Sequence, residues 1–217
     1  MPIKETEYFD NITEKVSEAI WGILPSKPLH LSVKPIAINP SYLSGMASLK
    51  QMMMEIDFGD ATEEIPITVV LPNKTFPCPA IIKINDENTL ESSSIEEMVN
   101  EGCAVFSVYF KDITDNNSNF KSGLYPRIAG SRRKKTSSGK AIVWAWATIR
   151  ILEYASVLSE IDNTKIGITG KGIFAFSARL AANADSRFSF IIPRDEPQIN
   201  DDFISEYPHL FSRSFTV

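Results

Sequence analysis

Histidine is nearly missing from this 217-residue chain: only His30 and His209 occur. Multi-histidine metal sites are therefore unavailable, and any histidine-based proton transfer must use one of these two. Cysteine is equally sparse. Cys78 and Cys103 are too few for a disulfide scaffold and lack metal-ligand spacing. Each stands at the start of a strand-like run, where a small buried thiol is expected, and the two could bridge if oxidised. Long apolar runs are absent too. The longest, Ala141 to Ala147, has seven residues against the roughly 20 a membrane helix needs, so no membrane partner is expected. The opening Met1-Pro2-Ile3-Lys4-Glu5-Thr6-Glu7 is polar and unlike a secretory signal. A cytoplasmic protein with reduced thiols is the expectation. Positive charge is in deficit, with 22 basic against 27 acidic side chains and a net charge of −5, which argues against a nucleic-acid partner. The basic run Arg132-Arg133-Lys134-Lys135 has no interleaved aromatic residues and reads as a solvated loop. No cofactor and no metal are expected; the partner is an unknown small molecule or none.

What the chain does contain is ordinary for a globular domain: 43% hydrophobic and 23% charged residues. Phe9, Ile12, Val16, Ile20 and Ile23 recur at helical spacing, predicting an amphipathic helix over 5–24 that Pro25 stops. Residues 25–50 hold four prolines and read as a connecting stretch with at most short strands. Met52, Met54, Ile56 and Phe58 alternate with polar positions, and after a turn at 59–62 a second strand runs over 65–71, making an antiparallel hairpin. Strands and helices then alternate: a strand over 79–84, a capping box Ser94-Ile95-Glu96-Glu97 opening a helix closed by Gly102, and a strand over 103–110. A polar loop over 111–140 leads to a helix over 141–158 that is apolar on most of its surface, with Trp144 and Trp146 facing different sides. A strand over 165–169, a helix over 173–183 and a strand over 188–192 follow. This order implies an α/β fold with parallel pairing and helices on both faces. Residues 1–50 form the expected N-terminal helix and connecting extension, and 51–217 the main domain.

The most informative stretch is Lys165-Ile-Gly-Ile-Thr-Gly170-Lys171-Gly172-Ile173-Phe174-Ala175, a strand entering a glycine turn and then a helix. Two chemistries use such a turn. A nucleophile elbow puts a serine at its strained apex. A dinucleotide site brings backbone N–H groups to a pyrophosphate at a helix start. Gly170-x-Gly172-x-x-Ala175 fits the second literally, and Asp195 lies 195 − 175 = 20 residues further on, where a ribose-binding acid would stand. In that reading Gly170, Lys171, Gly172, Ile173 and Asp195 hold a nucleotide or another anion.

Residues 52–192 resemble the α/β-hydrolase family of carbohydrate esterases, the acetylxylan and glucuronoyl esterase relatives. The resemblance rests on Phe110-Lys-Asp-Ile-Thr, on Ala145-Trp146-Ala147 with Arg150, on Ile161-Asp162 before Lys165 to Gly170, and on Asp185-Ser186-Arg187-Phe188. The family's elbow reads Gly-His-Ser-Arg-Leu-Gly-Lys, so the resemblance puts Gly172 at the nucleophile position, Ile173 at the oxyanion arginine and Phe176 at the lysine. Asp195 stands at the acid position, 195 − 172 = 23 residues on. The family's histidine lies in a later part not matched here, and His209 resembles a non-catalytic Pro-His.

The resemblance thus implies an α/β-hydrolase-like, mostly parallel sheet with an N-terminal antiparallel hairpin, lacking the last strands, in a catalytically degenerate protein. A glycine has no oxygen to attack with, and glycine tolerates the apex backbone. An active esterase would need an unorthodox nucleophile such as Ser177, with Asp195 and His209 in the right chain order. The late strand would lie near a sheet edge. Residues 198–217 are therefore expected to fold back over it, or two chains to pair there as a homodimer.

Overall fold

The computed structural model describes residues 17–74, 76–90, 92–130, 134, 137–213 and 215. Of the helix expected over 5–24, residues 17–21 are helical (α1); the earlier part, and Arg132, Arg133 and Lys135 of the basic run, lie outside the described residues.

Seven strands form one sheet: β1 (His30–Tyr42), β2 (Ala47–Asp57), β3 (Thr62–Pro72), β4 (Cys78–Asn85), β5 (Ala104–Tyr109), β6 (Ile161–Lys171) and β7 (Phe188–Arg194). Their order in space is β1-β2-β3-β5-β4-β6-β7. The first three strands and the β3–β5 contact are antiparallel, and β5, β4, β6 and β7 are mutually parallel. Parallel neighbours cannot be joined by a tight turn and need crossovers. Helices α2 (Ser92–Asn100), α5 (Lys140–Ala155) and α6 (Phe174–Ala184) supply them, with short α3 (Phe110–Ile113), α4 (Tyr125–Ala129) and α7 (Asp201–Glu206) in the connections. Period-two alternation divides the sheet's side chains between two faces. Val70 and Val105 meet Ile95 and Val99 of α2 on one face. Ile82, Ile84, Phe106, Val108, Ile166 and Ile168 meet α5 and α6 on the other.

Helix α5 is buried on nearly every side, as its apolar run predicts. Trp144 and Trp146 do point apart. The Trp144 indole N–H donates to the carbonyls of Phe110 and Thr114 (3.2 and 3.3 Å), and that of Trp146 to the carbonyl of Ser26 (3.0 Å). Lys140, also fully buried, donates through Nζ to the carbonyls of Asp115 and Asn119 at 2.6 and 2.8 Å. Its charge is thereby satisfied by backbone dipoles, the condition for burying an ammonium at all.

Four local expectations are corrected. Residues 25–50 are more than a connection, because β1 runs for thirteen residues antiparallel to β2, with register irregularities at Pro35/Ala37 and Asn39/Tyr42. Its prolines survive because an edge strand needs no donor on its outer side. Helix α2 begins at Ser92, so Ser94 lies inside the first turn and does not cap it. The loop over 111–140 contains α3 and α4. The described residues of the tail do not cover β7: Phe190 and Ile192 remain 37% and 44% exposed. Instead Phe211 stacks on Trp21 at 4.9 Å and Phe203 meets Phe176 edge-on at 5.7 Å, placing the tail on the helical layer. Aromatic partners there bury more area than a narrow edge could.

Cys78 and Cys103 are both buried and unbridged. Burial pushes the Cys103 thiol up to about 12, with a smaller contribution from Cys78. Native protein is expected to resist iodoacetamide at about pH 8 while urea-unfolded protein reacts at both sites. Because the folded thiol holds its proton longer than the unfolded one, stability is present below the ordinary value of 9.0 and declines as pH rises toward about 12, a trend to be read from urea midpoints.

Candidate functional site

The C-terminal ends of the parallel strands lie on one edge of the sheet. Register places Asn85 of β4 opposite Tyr109 of β5, and Lys171 of β6 opposite Arg194 of β7. At this edge β6 turns into α6. Gly170 is the last buried residue of the strand, and a Cβ added there would sit 2.3 Å from the Phe174 carbonyl oxygen. Only a residue without a side chain lets the helix start so close to the sheet. Lys171 is exposed. Gly172 has φ +58° and turns the chain; its N–H donates to the Arg194 carbonyl (2.9 Å) and its carbonyl accepts from the Ala175 N–H (3.0 Å). A Cβ added at Gly172 meets nothing within 4 Å. Ile173 follows in right-handed helical geometry, partly buried against the core. The turn therefore holds one left-handed residue at its apex, with open space where a side chain would project.

The Gly172–Arg194 hydrogen bond also brings Asp195 beside the turn. Asp195 is exposed and itself left-handed, at φ +49°. Gly170, Lys171, Gly172, Ile173 and Asp195 are thus gathered at one place, as the sequence suggests. Ser177 and His209 do not join them in a triad. Ser177 is fully buried in α6 and its Oγ has no hydrogen-bond partner, so no imidazole activates it. His209 is buried in the 3-10 turn Pro208–Leu210, with Nε2 2.7 Å from the Asn116 side-chain oxygen. His30 begins β1, five strands from β6, or roughly 24 Å at about 4.8 Å per strand. The nucleotide reading meets a geometric obstacle as well. The Gly172 N–H, which would have to face a phosphate, is occupied by the Arg194 carbonyl.

Arg150, Asp185 and Arg187 of the family-like motifs serve the other end of the molecule. Arg150 is 2% exposed, lies over the Trp146 ring at 5.0 Å and pairs with Glu153 at 3.3 Å; burial lowers its affinity for the proton. The Asp185 carboxylate, at the C-cap of α6, accepts two hydrogen bonds from the Arg187 guanidinium, which hold it below the usual carboxylate range. These groups tie α5 to the start of β7. Sequence reading missed a further polar group at the ends of β4 and β5: Asn85, Ser107, Tyr109 and Asp112, which line a pocket with residues of β1 to β3. The available signal was Ser107 and Asn85 interrupting otherwise apolar strand runs.

A central parallel sheet flanked by helices, joined to an antiparallel part and carrying a sharp strand–turn–helix at the edge where strands end, defines an α/β-hydrolase architecture with Gly172 at the elbow apex. Residues 54–198 match the family described as glucuronyl esterase of fungi, and the chain belongs to this glucuronyl esterase family. No curated protein sequence matches significantly. Among solved structures, the chain is similar to a glucuronoyl esterase from Solibacter usitatus (TM-score 0.84, 19% identity, 97% of this chain and 66% of that one). It is also similar to a glucuronoyl esterase from Teredinibacter turnerae (TM-score 0.80, 17% identity, 97% and 60%). A putative acetyl xylan esterase from Bacteroides fragilis is similar too (TM-score 0.58, 15% identity, 87% and 53%). The chain spans about two thirds or less of the length of these relatives. Among the described residues, no helix is long and apolar enough to cross a membrane.

The two glycines of the turn separate in mutagenesis. Gly170→Ala drives a methyl group into the α6 backbone and is expected to cost about 3 kcal/mol. Gly172→Ser has free space and only the left-handed backbone to accept, at about 1 kcal/mol. Urea unfolding of both variants checks this order.

Proposed function

We propose that this chain is a non-catalytic member of the glucuronyl esterase family, keeping the scaffold without the acyl-transfer chemistry. The observation that carries this reading is Gly172: the elbow apex has its left-handed backbone and its open approach, and no atom there can attack a carbonyl. Ile173, at the position of the oxyanion-binding arginine in the resembled elbow, offers no positive charge to a developing oxyanion. The buried, unpartnered Ser177 and the distant His30 supply no substitute pair. Free, buried thiols support the cytoplasmic placement.

The test is hydrolysis of an alkyl ester of glucuronic acid and of an aryl acetate. Turnover is expected at the uncatalysed rate for the native chain and also for Gly172→Ser, because a restored hydroxyl still lacks a base and an oxyanion donor. Measurable turnover that Ser177→Ala abolishes would overturn the reading.

A further inference from the structure

A pocket of about 340 Å³ opens on the sheet face that carries α2, away from the α5 and α6 layer, between the ends of β4 and β5 and the middle of β1 to β3. Its size lies at the lower end of the range for small-molecule sites. Gln51, Thr68, Asn85, Ser107, Tyr109 and Asp112 contribute to its walls. These residues come from four strands and α3, and the sheet's register fixes the spacing of the strand residues. Asn85 and Ser107, both buried, bond to each other through the Asn85 amide and the Ser107 hydroxyl. That leaves the Asn85 carbonyl oxygen directed elsewhere. Among the described residues, the side chains of Gln51, Thr68, Tyr109 and Asp112 make no hydrogen bond or ion pair, although Thr68, Tyr109 and Asp112 are half-buried. Polar groups gathered around a concavity without internal partners are groups whose hydrogen bonds are left for something that enters it.

The chemistry of the wall narrows what that is. Amides and hydroxyls both donate and accept, and so match groups that do the same. Among the described residues no lysine, arginine or histidine lines the pocket, and its two charged members, Glu87 and Asp112, are carboxylates. An anionic ligand would meet like charge on these two side chains. Tyr109 adds a ring with a polar tip, and Pro66 adds apolar surface on the same face. From these features we infer that the pocket binds a neutral, polyhydroxylated molecule of monosaccharide size, independently of the Gly172 turn.

The test is an amide NMR titration of the full chain with three probes that share one ring: methyl glucoside, methyl glucuronoside and methyl glucosaminide. The neutral glucoside is expected to shift the signals of Asn85, Ser107, Tyr109 and Asp112 while that of Gly172 stays in place. Tyr109→Phe and Gln51→Ala each remove one hydrogen bond without disturbing a buried partner. Each is expected to weaken the glucoside by up to about ten-fold, with the remaining spectrum unchanged. No shift with the glucoside would overturn the inference. So would binding only of the uronate or only of the amino sugar, or shifts centred on Gly172. None of these results depends on whether the chain hydrolyses esters, so the two readings fail separately.

Discussion

Helix α5 has almost no side that faces water, and the placement of the elements on its side of the sheet follows from enclosing it. A helix apolar all round must be wrapped, and here the wrapping is done by the parallel strands below, α6 alongside, and the segments around Ser26 and after β5 on two further sides. Its polar atoms act as fasteners in this arrangement. The two indole N–H groups and the Lys140 ammonium each end on backbone carbonyls of surrounding segments, so the same helix that supplies apolar area also fixes loop positions. Leaving any of those carbonyls unmatched in the interior would cost more than the bond itself contributes.

The turn between β6 and α6 depends on that packing. Phe174, the first residue of α6, rests against both Trp144 and Phe110 at ring separations of 5.0 Å. The aromatic cluster holds the helix start against the strand end, and Gly170 is the gap that makes the approach possible. The geometry that presents an elbow apex is thus tied to the core packing around Phe174 and to the close approach at Gly170. Family membership and a glycine at position 172 are compatible for this reason. The fold maintains the bend for packing, and chemistry is an addition to it.

What could be read from the sequence followed the strength of each local pattern. The α5 run, the hairpin of β2 and β3, and the glycines at 170 and 172 each carry a periodicity or a steric demand that only one arrangement meets. Strand β1 was hidden because it is exposed along most of its length, so no apolar alternation marks it, and its prolines read as punctuation. The gathering of Asp195 beside Gly172 was legible, since strand order and parallel register fix it. The pocket was not, because its wall is assembled from residues separated by more than fifty positions in the chain, and each alone looks like ordinary strand polarity. The destination of the tail was also beyond local pattern: Phe203 and Phe211 announce burial without naming their partners.

The irregular course of β1 bears on how copies of this protein meet in concentrated solution. An outermost ribbon offers its backbone to any passing chain, and a stack of such ribbons can grow without limit. Pro35 and Pro40, each without an amide hydrogen, and the two register breaks between them and Tyr42 interrupt that template at intervals of a few residues. One flank of the molecule is in this way closed to lateral growth by its own covalent makeup, and any self-templating must begin from the opposite flank.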